Sequence, residues 1–242
     1  MIQNRDIRVE VDEPSYPANL GSQASIHVGR TTIIDRARLD RIVTVTFVPT
    51  SGQRPLVDLV TYSGGGNCCF SHLIFAVSDD PSRVSQVVWP SAQRADTVGG
   101  DWQRFNGKYL IFGGVRVEDI FASHASSTFA LMVCEVVRAG GLRVVDITRT
   151  FPERLQADAN AHLNAMSDRD SGESHMVSYL ADEIRLGRED QAWAQVKRSY
   201  GQRAMTFAEF KSRATKWLSE QGFGVIRYPK EDPEMYLRSM GY

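Results

Sequence analysis

The hydrophobic pattern of this chain changes period once, at Pro152. Before that residue, apolar side chains alternate with polar or small ones in short β-branched runs broken by glycine and proline; after it they recur every three to four residues over four long stretches. A strand sends successive side chains to opposite faces, whereas a helix returns to one face about every 3.6 residues, so the change separates a sheet-forming part from a helix-forming part. The expectation is one α+β domain over residues 1–242, with a mainly antiparallel β-sheet core in the first 150 residues and helices in the C-terminal part.

Within the first part, Ile7–Val11 and the glycine-interrupted Ile26–Ile34 read as β-segments. Arg41–Val48 and Leu56–Tyr62 read as a hairpin turned by Pro49-Thr50-Ser51-Gly52. His72–Ser78, Gln86–Trp89 and Gly107–Val117, the last bent at Gly113-Gly114, continue the pattern, with Ala95–Asp101 as a polar loop between them. Phe129–Val137 and Leu142–Thr148 form a second hairpin across Arg138–Gly141. The helices are expected over Pro152–Met166, His175–Leu186, Arg188–Tyr200 and Phe207–Glu220, with Asp168–Ser174 as a polar linker. Thr206 and Glu209 make a capping box at the start of the last helix, and Gly222 stops it.

A chain of 242 residues buries enough apolar surface to fold without metal or disulfide staples, and 42% apolar with 24% charged residues is the ordinary balance of a globular protein. The formal charge of −1 removes the electrostatic argument for nucleic-acid or membrane binding. Three cysteines, two of them the adjacent Cys68 and Cys69, do not make a disulfide framework and point to a reducing compartment. Neither a signal-like apolar run near Met1 nor a membrane-length apolar stretch occurs in the sequence, so the expected location is the cytoplasm, with delivery into a host or target cell left open.

One loop stands out chemically. Tyr62-Ser63-Gly64-Gly65-Gly66-Asn67-Cys68-Cys69-Phe70-Ser71-His72 carries three consecutive glycines, which suit close approach of the backbone to a ligand or positive φ, and clustered N–H groups there would cradle a phosphate or oxyanion. The spacing is neither a Walker A loop nor a dinucleotide fingerprint, and a wide turn accounts for it equally. Gly66–Phe70 also resembles the nucleophile box of OTU-type cysteine proteases, which implies Cys68 as thiolate. Gly65 stands where that family has an acidic residue, Leu73–Val77 reads as a strand rather than the nucleophile helix, and His175 is followed by Met176 rather than an aromatic residue.

Gly222-Phe223-Gly224-Val225-Ile226-Arg227-Tyr228-Pro229-Lys230-Glu231-Asp232-Pro233 reads as a helix stop, an apolar strand and an acidic turn. With the helix before it, this stretch resembles the C-terminal part of ADP-ribosyltransferase-like domains, and more loosely the related RES-type NAD-degrading toxins. The 129–148 hairpin resembles the same family, as does the strand leading through Ser78 into Asp79-Asp80-Pro81. The resemblance implies cleavage of the nicotinamide–ribose bond of NAD⁺ by a toxin, effector or phage–host conflict protein. It implies Glu231 as the carboxylate facing an oxocarbenium-like transition state, with Asp232 or Glu234 as replacements, Tyr228 beside it, and Ser78 orienting the acid. NAD⁺ would be gripped by Arg30 and His27, stacked by Tyr62 or Tyr228 and approached by the Gly65 backbone. No metal is called for, since the five histidines show no ligand spacing, and the acceptor, protein or nucleic acid, is not encoded in a motif. The competing class is a non-enzymatic protein-binding inhibitor or immunity protein that presents its sheet to a partner.

Overall fold

The computed structural model describes residues 1–12, 22–38, 41–51, 53–62, 70–78, 80, 83–89, 97–117, 121–123, 126–138 and 141–223. Their strands form three four-stranded sheets, each paired in antiparallel fashion between chain neighbours. The first contains β1 (Ile2–Asn4), β2 (Ile7–Asp12), β3 (Gln23–Val28) and β4 (Thr31–Arg38). β5 (Arg41–Val48), β6 (Leu56–Tyr62), β7 (Phe70–Val77) and β8 (Val84–Trp89) make the second; β9 (Thr97–Phe105), β10 (Lys108–Arg116), β11 (Phe129–Val137) and β12 (Arg143–Asp146) make the third. After a 3-10 turn at Thr148–Thr150 come α1 (Pro152–Ala165), α2 (Gly172–Arg185), α3 (Glu189–Ser199) and α4 (Phe207–Glu220). The α+β class and the order of sheet before helix follow the sequence pattern.

β6 shows why the sheets layer as they do. Leu56 faces a core shared with the third sheet and the helices, while its neighbours Val57 and Leu59 face a second core shared with Ile7, Val9, Ala24, Ile26 and Val28 of the first sheet. The middle sheet is therefore covered on both faces, and its central strands read as near-continuous apolar runs. The larger core reaches from Val48 to Phe223, with Met132, Leu180, Phe210 and Trp217 fully buried. α2 is buried almost all round, which places it at the centre of the helical layer.

Two segments depart from the sequence reading. Thr97–Asp101, expected as part of a polar loop, belongs to β9 and pairs with β10 across a register shift between Phe112 and Gly114. Gly100 permits this: a Cβ there would lie 1.9 Å from the Phe112 carbonyl oxygen, so only a glycine brings the strands together at the bulge. The Asp168–Ser174 linker is ordered by Asp168, whose Oδ1 accepts from the amides of Asp170 and Ser171 and from the Ser171 hydroxyl, so α2 starts at Gly172 rather than His175.

α4 opens as the sequence signals, with the Glu209 amide donating to Thr206 Oγ1 at 3.2 Å. It closes on Gly222 at φ 78°, where the Phe223 amide donates to the Leu218 carbonyl at 2.7 Å. Phe223 is thereby turned inward onto Trp217, with ring centroids 5.6 Å apart. No helix among the described residues is long and apolar enough to cross a membrane.

Candidate functional site

The exposed edge of β11 shows which side chains the helices bring to the sheet. β12 pairs with β11 only over Cys134–Val137, so nearer its N-terminus β11 has no paired strand on that side among the described residues. Side chains continue the pairing. Thr148 Oγ1 accepts from the Val133 amide at 2.8 Å, the Asp158 carboxylate accepts from the Leu131 amide, Arg185 donates to the Leu131 carbonyl, and His162 Nε2 lies 3.2 Å from the Phe129 carbonyl. α1 supplies Asp158 and His162 one turn apart, and α2 supplies Arg185.

Behind this edge lies Asp182 of α2. Its side chain is fully buried, neither carboxylate oxygen has a hydrogen-bond donor, and the polar group that meets it is the Asp158 carboxyl. Ligand atoms of Asp158, His162 and Asp182 all lie within 4.8 Å of one another. Burial holds the Asp182 carboxyl well above the usual carboxylate range, and the nearby Asp158 adds to this against the opposing charge of Arg185. Burial acts in the same sense on Asp158, but the hydrogen bond and charge of His162, with Asp182 and the Leu131 amide, bring it below its ordinary value. His175 Nδ1 stands 2.9 Å from His162 Nδ1 and is lowered by burial and by that neighbour, against the pull of Asp168. Asp158 opens onto a cavity of about 320 Å³ lined also by Asp101, the Phe112–Gly114 backbone, Phe129 and Leu131. The arrangement can share a proton between two carboxyls or hold a cation through two carboxylates and an imidazole.

A second buried polar group joins the middle and third sheets. Asp58 Oδ2 accepts from Trp102 Nε1 at 2.7 Å and meets His72 Nδ1 at 2.6 Å, with both Asp58 and His72 inside the core.

The residues named from sequence fall in two places. Arg54 gathers one group: its guanidinium contacts Asp6 Oδ2 at 2.8 Å and the Ser78 carbonyl at 2.5 Å, while the Asp6 carbonyl accepts from Gly29, which opens the β3–β4 turn at φ 59°. Arg30 is exposed in that turn, and His27 beside it contacts Thr32 Oγ1 at 3.0 Å and Glu10 Oε2 at 3.4 Å. The Ser78 hydroxyl donates to the Asp80 carbonyl, closing its own turn. Tyr62 sits at the other end of the β6–β7 hairpin, paired with Phe70 and roughly 25 Å along the strand from Ser78 at the usual rise per residue. Ser78 and Tyr62 therefore lie at opposite ends of one hairpin. Tyr228, Glu231, Asp232, Glu234, Gly65, Cys68 and Cys69 lie outside the described residues.

Sequence reading missed the Asp158–His162–Asp182 cluster. The signals available were an Asp and a His four apart on α1, and an Asp placed among the apolar residues of α2. Comparison with protein-family models, with curated proteins and with solved structures finds no match for this chain.

Proposed function

We propose that the protein consumes NAD⁺, breaking the nicotinamide–ribose bond in the manner of an ADP-ribosyltransferase or NAD⁺ glycohydrolase. One observation carries the reading: the two stretches that resemble that family, the 129–148 hairpin and the segment that begins at Gly222-Phe223, meet at one side chain. Arg185 donates to Asp146 at the end of the hairpin and to Leu131 within it, and its guanidinium lies 4.3 Å from the centre of the Phe223 ring. A shared anchor for both stretches is what a site built between them requires.

In this reading Glu231 stabilises the positive charge that develops on the ribose as nicotinamide leaves, and Tyr228 stacks on the departing ring. Arg30, exposed beside His27, supplies charge for the pyrophosphate. The Ser78 and Tyr62 assignments pull apart, because the two lie at opposite ends of one hairpin; the reading keeps the ring with Tyr228.

The test is direct. The purified full chain, incubated with millimolar NAD⁺, is expected to release free nicotinamide, read by chromatography. Absence of both nicotinamide release and any NAD⁺-dependent thermal shift removes the enzyme reading.

A further inference from the structure

Asp182 is buried against Asp158. A carboxyl with no solvent contact and no donor on either oxygen is costly to bury, and such groups are paired, protonated or bound to a cation. Arg185, the cation that faces it, is already committed to Asp146 at 2.6 Å and to the Leu131 carbonyl. Glu183 beside it is paired with Arg188 at 2.7 Å. Asp158 is partnered by His162 at 3.5 Å, so Asp182 is the carboxyl of this group that no side chain among the described residues pairs directly.

We propose that Asp158, His162 and Asp182 bind one divalent cation of the Mn²⁺ or Zn²⁺ class. Three ligand atoms within 4.8 Å of one another, two carboxylate oxygens and one imidazole nitrogen, match the donors such ions take. Asp158 and His162 approach from one face of α1, with His162 Nε2 3.5 Å from Asp158 Oδ2, and Asp182 approaches from α2. The ion gives the buried Asp182 oxygens a partner. Ligation through Nε2 takes that nitrogen from the Phe129 carbonyl and leaves Nδ1 against His175, which then orients the ring from outside the coordination shell. The cavity at Asp158, lined also by Asp101, gives the ion a way in and space for water or a ligand oxygen. The inference stands apart from the NAD⁺ reading and survives its failure.

The probe is Mn²⁺ added to the full chain after treatment with chelator and desalting. Electron paramagnetic resonance is expected to show loss of the free aqueous Mn²⁺ signal to one equivalent per chain, with a melting temperature that rises and saturates with the ion. Asp182→Asn keeps the shape of the side chain without its carboxylate, and it is expected to weaken Mn²⁺ at least on the order of 100-fold, since even outer partners of a metal site cost 10–100-fold when lost. Asp158→Asn serves as a second variant with the same expected loss. An unchanged Mn²⁺ signal to millimolar concentration overturns the proposal and leaves a proton shared between the two carboxyls. Equal Mn²⁺ affinity in the parent and in both variants overturns it as well.

Discussion

Arg185 Nη2 lies 2.6 Å from Asp146 Oδ2, although the two residues belong to α2 and to the end of β12. The same guanidinium binds the Leu131 carbonyl and covers Phe223, so one side chain ties the third sheet, the central helix and the end of α4. Asp146 is fixed in turn by accepting from the Thr148 amide at 2.9 Å. Removing the guanidinium leaves a carboxylate and a carbonyl without their donor. A fully buried pair broken in this way costs about 3–5 kcal/mol, and solvent at the one-third-exposed Asp146 reduces this to about 2–3 kcal/mol for Arg185→Met. Arg185→Lys is expected to recover only part, because an ammonium does not fork to two acceptors while stacking on a ring. Urea unfolding of the three proteins checks the order.

Asp58 is the acceptor on which the joint between the middle and third sheets depends. Asp58→Ala removes the acceptor of the buried His72 Nδ1 and of the part-buried Trp102 Nε1, and losing the acceptor of a buried donor costs about 1–3 kcal/mol. Asp58→Asn keeps one acceptor oxygen and is expected to cost less than Asp58→Ala. Denaturant midpoints, followed by tryptophan fluorescence, compare the two; equal midpoints for Asp58→Ala and the parent would show that the joint carries no stability.

His175 makes the fold sensitive to mild acid. Its affinity for protons is lowered in the folded chain by burial and by His162, so between its folded value and the ordinary 6.5 the unfolded chain binds the extra proton. Stability from this group is complete above about pH 6.5 and is lost as pH falls toward the folded value. The groups facing it are His162 on α1 and Asp168 before α2. His175→Gln is therefore expected to flatten the decline in melting temperature between pH 7.5 and 5, relative to the parent. A parallel decline in both proteins would contradict the assignment.

For NAD⁺ turnover, Glu231→Gln and Arg30→Ala separate chemistry from grip. Glutamine keeps the shape and loses the charge, so kcat is expected to fall about 10²–10³-fold with little change in nucleotide affinity. A pyrophosphate contact is present in ground and transition states alike, so Arg30→Ala is expected to raise KM and leave kcat nearly intact. Steady-state kinetics of nicotinamide release distinguish the two; a Glu231→Gln protein of undiminished kcat excludes that carboxylate.

The sequence by itself determined the local elements. The alternation of Arg41–Val48 and Leu56–Tyr62, the 3.6-residue pattern after Pro152, the Thr206 cap and the Gly222 stop all act within a few residues of themselves, and the observed strands and helices follow them. Thr97–Asp101 departs from the expected loop because glycine signals a loop locally, whereas Gly100 admits the Phe112 carbonyl of a neighbouring strand. The Asn106-Gly107 pair, with both residues at positive φ, is a local signal that marks the β9–β10 turn.

Only the tertiary structure decided which polar groups are buried and who meets whom. Asp58 and His72 look like ordinary polar positions on alternating strands, yet they are enclosed because the middle sheet is covered on both faces. Asp182 lies 24 residues after Asp158, too far apart for any periodicity to join them, and α1 and α2 bring them together because both pack on β11. The cost of burying a charge depends on what surrounds it rather than on its neighbours in the chain, so clusters of this kind become legible only when the helices are docked.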